Sequence, residues 1–355
     1  MRLARAIKGR WIPSLFARTG GCRTFITTAR LVDSSSSPYS SVDIARFRDE
    51  AFSPGRPWFF KGTRGSSGKD SSFPALLKWF DGDGKASSLA PGPAHAAFSS
   101  YMGQFAHHIF PYELTIPQHP EEDDGSVDPI QRFISWLLSG SDPVNMNTML
   151  SGILQGAIQP PAGSGPSFSL FQAPLLLLLR AVEFNQSQDD IILKQLYIAQ
   201  SPLSDLPAHL QRDLPTPRLV REAGKGDVYN SSVWMGLEPT YTPLHRDPNP
   251  NLFCQLLSDK TVRLLSPQAG DRAFRRVQAQ LGRPANSRIR GTEMMQGPER
   301  VALNAIVWGS DASGDILEAR LGPGDALFIP TGWWHSVKST HTDGRLNVSA
   351  NWWFR

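Results

Sequence analysis

Cysteine is nearly missing from this sequence: Cys22 and Cys254 are the two in 355 residues. A disulfide-stapled, secreted scaffold is thereby excluded, and Cys254, set in the apolar run Leu252–Leu257, reads as a small core hydrophobe. Also missing is any run approaching the ~18 consecutive apolar residues of a membrane-spanning helix. The greasiest stretch, Ala173–Leu179, stops at Arg180 and reads as a buried core helix. Acid is missing from Met1–Val32, where Arg2, Arg5, Lys8, Arg10, Arg18, Arg23 and Arg30 precede the first carboxylate at Asp33. The formal net charge of +4 therefore belongs to this leader, and the rest of the chain is mildly acidic. The basic character is thus no argument for nucleic-acid binding by the folded part.

The leader has a pattern of its own. Leu3, Ile7, Trp11 and Leu15 recur at four-residue spacing and would line one face of a helix. An Arg-rich, acid-free, amphipathic segment with Thr gathered over Cys22–Thr28 has the composition of a mitochondrial transit peptide. Cleavage is expected between Arg23 and Ser37, leaving Cys254 as the lone cysteine, and the Ser-rich stretch Ser34–Ser41 reads as a linker.

Beyond the leader, 29 prolines and 30 glycines favour many turns over long helices, and a 40% hydrophobic content suffices for a packed core. Helical spacing is read over Val42–Phe52, Phe73–Phe80, Pro129–Leu138 and Asp271–Leu281. Pro54–Gly62 gives a turn and a short β-run. Strands are read over Ile191–Gln200, Asp227–Gly236, Thr261–Leu265 and Ala326–Ile329. Gly-, Ser- and Pro-rich loops are expected over 63–72, 87–95 and 156–167, and an exposed acidic stretch over 118–128. Arg272, Arg275, Arg276, Arg283, Arg288 and Arg290 form a basic patch, a solvated surface that is also the one local hint of an acidic partner.

The chemistry-bearing stretch is Thr242–Lys260, TPLHRDPNPNLFCQLLSDK. On an extended strand, residues two apart share a face, so His245 and Asp247 converge on one point. That supplies two of the three ligands of a 2-His-1-carboxylate facial triad, the arrangement that leaves open positions on a non-heme Fe(II) ion. Alone, an H-x-D pair is equally a surface turn. The third ligand should be a distant His: His335 in GDALFIPTGWWHSV is the candidate, while His341 sits in a Ser-Thr-His-Thr-Asp-Gly turn. Lys260, just past the apolar run, is either a solvated strand end or a point cation for a dicarboxylate.

Together these motifs resemble JmjC-type, cupin-like 2-oxoglutarate oxygenases, on the protein-hydroxylase side of that superfamily. The resemblance runs from Ser40 to Arg355, and several motifs in order make it specific. It implies a mainly β fold with α elaboration, a double-stranded β-helix (jelly-roll, cupin) barrel with N-terminal helices. It implies Fe(II) on His245, Asp247 and His335, and 2-oxoglutarate anchored by Thr242 and Lys260. Asn251, Tyr197 and Asn351 match further positions near the co-substrate, and ascorbate would serve as reductant in vitro. Trp234, Trp333 and Trp334 are expected to shield the pocket. The expected organisation is a transit peptide and linker over 1–37, an α/β elaboration over 38–190 packing on the barrel, and the catalytic barrel over 191–355. Some relatives continue into C-terminal dimerisation helices beyond the last strand, so the resemblance leaves the oligomeric state open.

The expected activity is a 2-oxoglutarate-dependent dioxygenase hydroxylating a protein or peptide side chain. The alternatives are an oxygenase acting on tRNA, a small molecule or methyl-lysine, and a non-catalytic cupin-like binding module; nucleic acid is not favoured. A fusion of residues 1–40 to a fluorescent reporter is expected to enter mitochondria, and diffuse cytosolic signal would count against the transit peptide.

Overall fold

The computed structural model describes residues 30–31, 33–35, 39–62, 73–81, 96–116, 128–140, 145–158, 167–188, 192–194, 196–282, 297–309 and 315–355. Residues 1–29 of the leader, the loops expected over 63–72 and 87–95, most of 118–128 and 156–167, and Arg283, Arg288 and Arg290 lie outside them.

Among the described residues, twelve strands of three residues or more run in chain order. They are β1 (Trp58–Phe60), β2 (Ile109–Ile116), β3 (Ser167–Pro174), β4 (Leu196–Pro202), β5 (Val228–Leu237), β6 (Tyr241–Arg246), β7 (Asn251–Leu257), β8 (Lys260–Leu265), β9 (Leu317–Leu321), β10 (Ala326–Ile329), β11 (Trp334–Ser339) and β12 (Leu346–Phe354). The smaller sheet has the order β9-β8-β11-β6; the larger runs β1-β10-β7-β12-β5-β4-β2-β3. All pairings between these twelve strands are antiparallel. From β5 onward the chain alternates between the sheets, except for the step from β8 to β9 within the smaller one. That is the winding of a double-stranded β-helix, as the resemblance implied.

Burial explains why the central strands read as they do. β7, NLFCQLL, lies between β10 and β12 and is buried along nearly all its length. A strand covered on both faces shows a near-continuous apolar run rather than alternation. Its inner face joins Phe253 to Val262, Leu264, Leu327, Ile329 and Val337 between the sheets. Its outer face packs Leu252, Cys254 and Leu256 into a larger cluster shared with the N-terminal half. There Phe47 meets Phe328 edge-on at 5.0 Å between ring centroids, and Phe52 stacks on Phe354 at 5.9 Å. Strands β2 and β3 extend the same sheet, so the N-terminal half and the barrel share one core.

Helix α1 (Pro129–Ser139) begins where Asp128 accepts a hydrogen bond from the Ile130 amide, with Pro at its first position, a combination that starts helices. Its buried stripe, Ile130, Phe133, Ile134 and Leu137, has the i, i+3, i+4, i+7 spacing of an amphipathic helix. Helix α2 (Met146–Ala157) lies beside it. Helix α3 (Leu176–Ser187) brings Phe184 against Phe133. Helix α4 (Pro267–Gln280) packs on the outside of the smaller sheet, with Arg275 and Arg276 on its exposed side. Arg272, also exposed, pairs with Asp315.

Several local expectations are corrected. The strand read over Ile191–Gln200 begins at Leu196. Ahead of it the buried side chain of Asn185 accepts from the Leu193 amide and donates to the Leu193 carbonyl, satisfying the backbone without a neighbouring strand. Ala173 and Pro174 end β3, and the core helix starts only at Leu176. Gly297–Trp308, for which no element is read from the sequence, is helix α5. Ser34–Ser35, read as linker, pairs parallel with Phe59–Phe60, and Arg30–Leu31 pairs parallel with Leu317–Glu318.

The contact between α4 and β11 bears on the site. A Cβ at Gly270 would fall 2.1 Å from the buried ring of Trp334, the residue before His335. Gly270→Ala is expected to destabilise the fold by about 1–3 kcal/mol through overpacking, read from the denaturant midpoint. No measurable change would mean the helix yields at that contact.

Candidate metal centre and co-substrate cavity

Strand β6 carries His245 and strand β11 carries His335, and the β6–β11 register sets the two directly opposite each other. Their ring centroids lie 4.2 Å apart. Asp247 follows β6 immediately, with its carboxylate 3.9 Å from His245 Nε2 and 3.5 Å from His335 Nε2. One ligand atom from each of the three lies within 4.8 Å of the others, and all three residues are buried.

Both imidazoles are oriented by their own strands. His245 Nδ1 lies 2.9 Å from the Pro243 carbonyl oxygen, and His335 Nδ1 lies 3.1 Å from that of Trp333. A carbonyl accepts only, so each Nδ1 carries the proton and each Nε2 lone pair is left for a metal. Asp247 is fixed equally firmly. Its Oδ2 accepts from Trp353 Nε1 at 2.7 Å and from Asn251 Nδ2 at 3.0 Å. Asn251 Oδ1 accepts from Asn351 Nδ2 at 3.2 Å, and Asn351 Oδ1 accepts from Trp234 Nε1 at 2.8 Å. A chain of donors thus crosses β5, β12 and β7 and ends on one carboxylate oxygen. Burial pushes the Asp247 carboxyl up, but His335, His245 and the hydrogen bonds from Trp353 and Asn251 outweigh it and hold the group below its ordinary range. Two imidazoles that turn Nε2 inward and an ionised carboxylate on one face, with no fourth protein ligand among the described residues, suit a divalent ion that keeps open positions.

The triad opens into a cavity of about 580 Å³. Lys260, Thr242, Tyr197, Asn251 and Asn351 all line it with the triad, so every site residue read from the sequence comes together there. Lys260 is buried, and its ammonium donates to Ser349 Oγ at 2.9 Å and to Tyr197 Oη at 3.3 Å. It also faces the rings of Phe253 and Tyr197, which carry no charge. A Cβ at Gly236 would fall 2.4 Å from the Tyr197 ring, so glycine is required for Tyr197 to sit where it does. A metal-binding face at one point of the cavity and a buried ammonium at another match a 2-oxoacid with a distal carboxylate.

The sequence reading missed Ser349, Trp353 and Gln200. It also misplaced the Trp333–Trp334 pair, which does not line the cavity. Trp334 points outward, donating to Asp271 and stacking near Phe274 of α4, because alternation turns it away from the face of His335. Trp333 donates to the Gly55 carbonyl. Trp234 and Trp353 provide the aromatic wall instead. His341 lies beside Asp259, outside the cavity lining.

Fold and site together define a double-stranded β-helix metal centre. Residues 167–355 match the family described as cupin-like domain, more than half of the chain, and the protein belongs to that family. The curated relatives it matches are named as JmjC domain-containing proteins or as lysine-specific demethylases. It is 32% identical over 161 residues to Jumonji C domain-containing protein 5 of Drosophila melanogaster. It is 29% identical over 160 residues to Lysine-specific demethylase 8 of Danio rerio. With Lysine-specific demethylase JMJ30 of Arabidopsis thaliana it shares 26% over 158 residues. Each match covers 44% of this chain, but only 36%, 36% and 33% of the respective relative. JmjC proteins of this family use Fe(II) and 2-oxoglutarate, and the donor set here fits both.

Trp353 gives a direct check on the carboxylate support. Trp353→Phe keeps the ring and removes the N–H. It is expected to weaken Mn(II) or Co(II) affinity about 10–100-fold, the usual cost of losing a group that orients a ligand, with the circular dichroism unchanged. Unaltered affinity would mean Asp247 does not depend on Trp353.

Proposed function

We propose that this protein is an Fe(II)- and 2-oxoglutarate-dependent oxygenase that hydroxylates a protein side chain. The observation that carries the reading is the shared cavity of the His245–Asp247–His335 face and the buried Lys260 ammonium. When bound, the metal and co-substrate supply oxidation of a C–H bond by O2, with 2-oxoglutarate leaving as succinate and CO2. The protein's part is positional. Nε2 of each His and the Asp247 carboxylate would hold the ion, while Trp353 and Asn251 keep Oδ2 engaged. Lys260 and Thr242 receive the distal carboxylate, with Tyr197 and Ser349 orienting the Lys260 ammonium. Trp234, beside Tyr197, and Trp353, on Asp247, wall the cavity against water.

The names of the relatives support a second reading, oxidation of an N-methyl group on lysine. There the hydroxylated product breaks down to formaldehyde, so formaldehyde release separates it from stable hydroxylation.

Purified protein with Fe(II), ascorbate, 2-oxoglutarate and air is expected to release succinate slowly without substrate. His245→Ala should abolish that release while leaving the protein folded. Turnover persisting in His245→Ala would sink the ligand assignment. Lys260→Met should raise the KM for 2-oxoglutarate at least about tenfold, a loss of 1.4 kcal/mol or more, with less effect on metal affinity. An unchanged KM would remove Lys260 from the co-substrate site.

A further inference from the structure

A second hollow, of about 570 Å³, shares Gln200, Asp247 and Trp353 with the triad cavity and adds the Tyr229–Asn230 and Pro248–Asn249 pairs. It is the approach to the metal point from outside the Lys260 region, since neither Lys260 nor Thr242 lines it. The hydrogen-bonding character of its wall is fixed by partners that can only donate. Asn249 Oδ1 lies 3.1 Å from Arg355 Nε, and Asn230 Oδ1 lies 2.8 Å from the Ser231 amide nitrogen. A guanidinium and a backbone N–H have no lone pair to offer, so each carboxamide is turned with its oxygen on that donor. Its NH2 group is kept for a further partner.

The charges agree. The Arg355 guanidinium lies over the exposed ring of Tyr229, 5.5 Å from its centroid, so the aromatic face at the rim already carries a cation. No ion pair joins Arg355 to another described residue. Asp247 is the one carboxylate among the described residues lining either hollow, and it faces the metal point. Gln200 lines both hollows and has a φ of 52°, a left-handed conformation uncommon outside glycine. It sits where the β4–β5 register shifts between Ile198 and Ser201. Backbone held this way is a frequent mark of a ligand-contacting position.

We propose that this entrance selects a substrate side chain ending in a carbonyl-oxygen acceptor, a carboxamide or carboxylate, and rejects ammonium and guanidinium side chains. The proposal rests on the oxygenase reading above and names its substrate class. An entering carbonyl oxygen meets the NH2 groups of Asn230 and Asn249 and the positive charge of Arg355. An entering cation meets the same donors and the same charge, and the one carboxylate that lines the hollow, Asp247, is already engaged by Trp353 and Asn251 and faces the metal point. Attraction for one class and repulsion of the other act together.

The test uses the full chain and peptide pools with randomised flanks and one fixed central residue: Asn, Asp, Gln, Lys, dimethyl-Lys or Arg. Succinate release above the peptide-free rate and addition of one oxygen to the fixed residue are measured by mass spectrometry. Retention of each pool on immobilised, Mn(II)-loaded protein is measured separately. The Asn or Asp pool is expected to exceed the Lys and Arg pools by at least about tenfold in both readouts. Arg355→Glu should reverse the order of retention, and Arg355→Gln should flatten it. Preference for Lys, dimethyl-Lys or Arg, equal response of all pools, or retention of none would each overturn the assignment. Absence of 2-oxoglutarate turnover with every pool would sink the oxygenase reading alone, because retention still reports on the entrance.

Discussion

The site depends on one register. Strand Tyr241–Arg246 pairs with Trp334–Ser339 so that His245 faces His335, although the two lie far apart in sequence. A slip of one residue would turn one imidazole to the outer face. Packing outside the barrel guards against that slip. Trp334 is locked between Gly270 and Phe274 of the covering helix, Leu244 lies in the same cluster, and Ser336 Oγ donates to the Thr242 carbonyl. The polar pair inside is thus held by apolar and hydrogen-bonded contacts outside, on alternate residues of the same two strands.

The second constraint is electrostatic. A buried carboxylate is costly unless compensated, and Asp247 is compensated by two neutral donors that come from strands on the far sheet. Trp234, Asn351 and Asn251 form a line in which each residue is oriented by the one before it. Such a network ties the larger sheet to the smaller at the point where the metal ligands meet. It also explains polar residues inside strands that are otherwise apolar: Asn251 and Asn351 are nearly inaccessible, and their amides are satisfied by each other and by the ligand.

Much of this was legible in the sequence, for physical reasons. An H-x-D pair before a long apolar run, a Lys at its end and a late His after a glycine turn are each polar exceptions in apolar surroundings, and exceptions of that kind stand out. The barrel was legible because its strands are short, apolar and separated by Gly and Pro. Trp353 and Ser349 were missed because they lie on a strand where nearly every residue is buried, so nothing in the pattern tells a core side chain from one that touches the site. Gln200 was missed because its importance is conformational. Trp334 was misread because adjacency to a ligand in sequence means the opposite face on a strand, and Trp333 because it lies ahead of that strand, with its ring held by the Gly55 carbonyl. The late start of the strand at Leu196 depends on Asn185, whose side chain imitates a strand neighbour; no local pattern announces that.

Each histidine takes its tautomer from a carbonyl two residues earlier on its own strand. The orientation of both imidazoles is therefore set as the sheet forms. A face of two nitrogens and one oxygen accepts several divalent metals, and their intrinsic order of affinity places Fe(II) below Zn(II) and Cu(II). Selectivity for iron would then lie outside the polypeptide, in which free metals the compartment supplies at the moment the barrel closes.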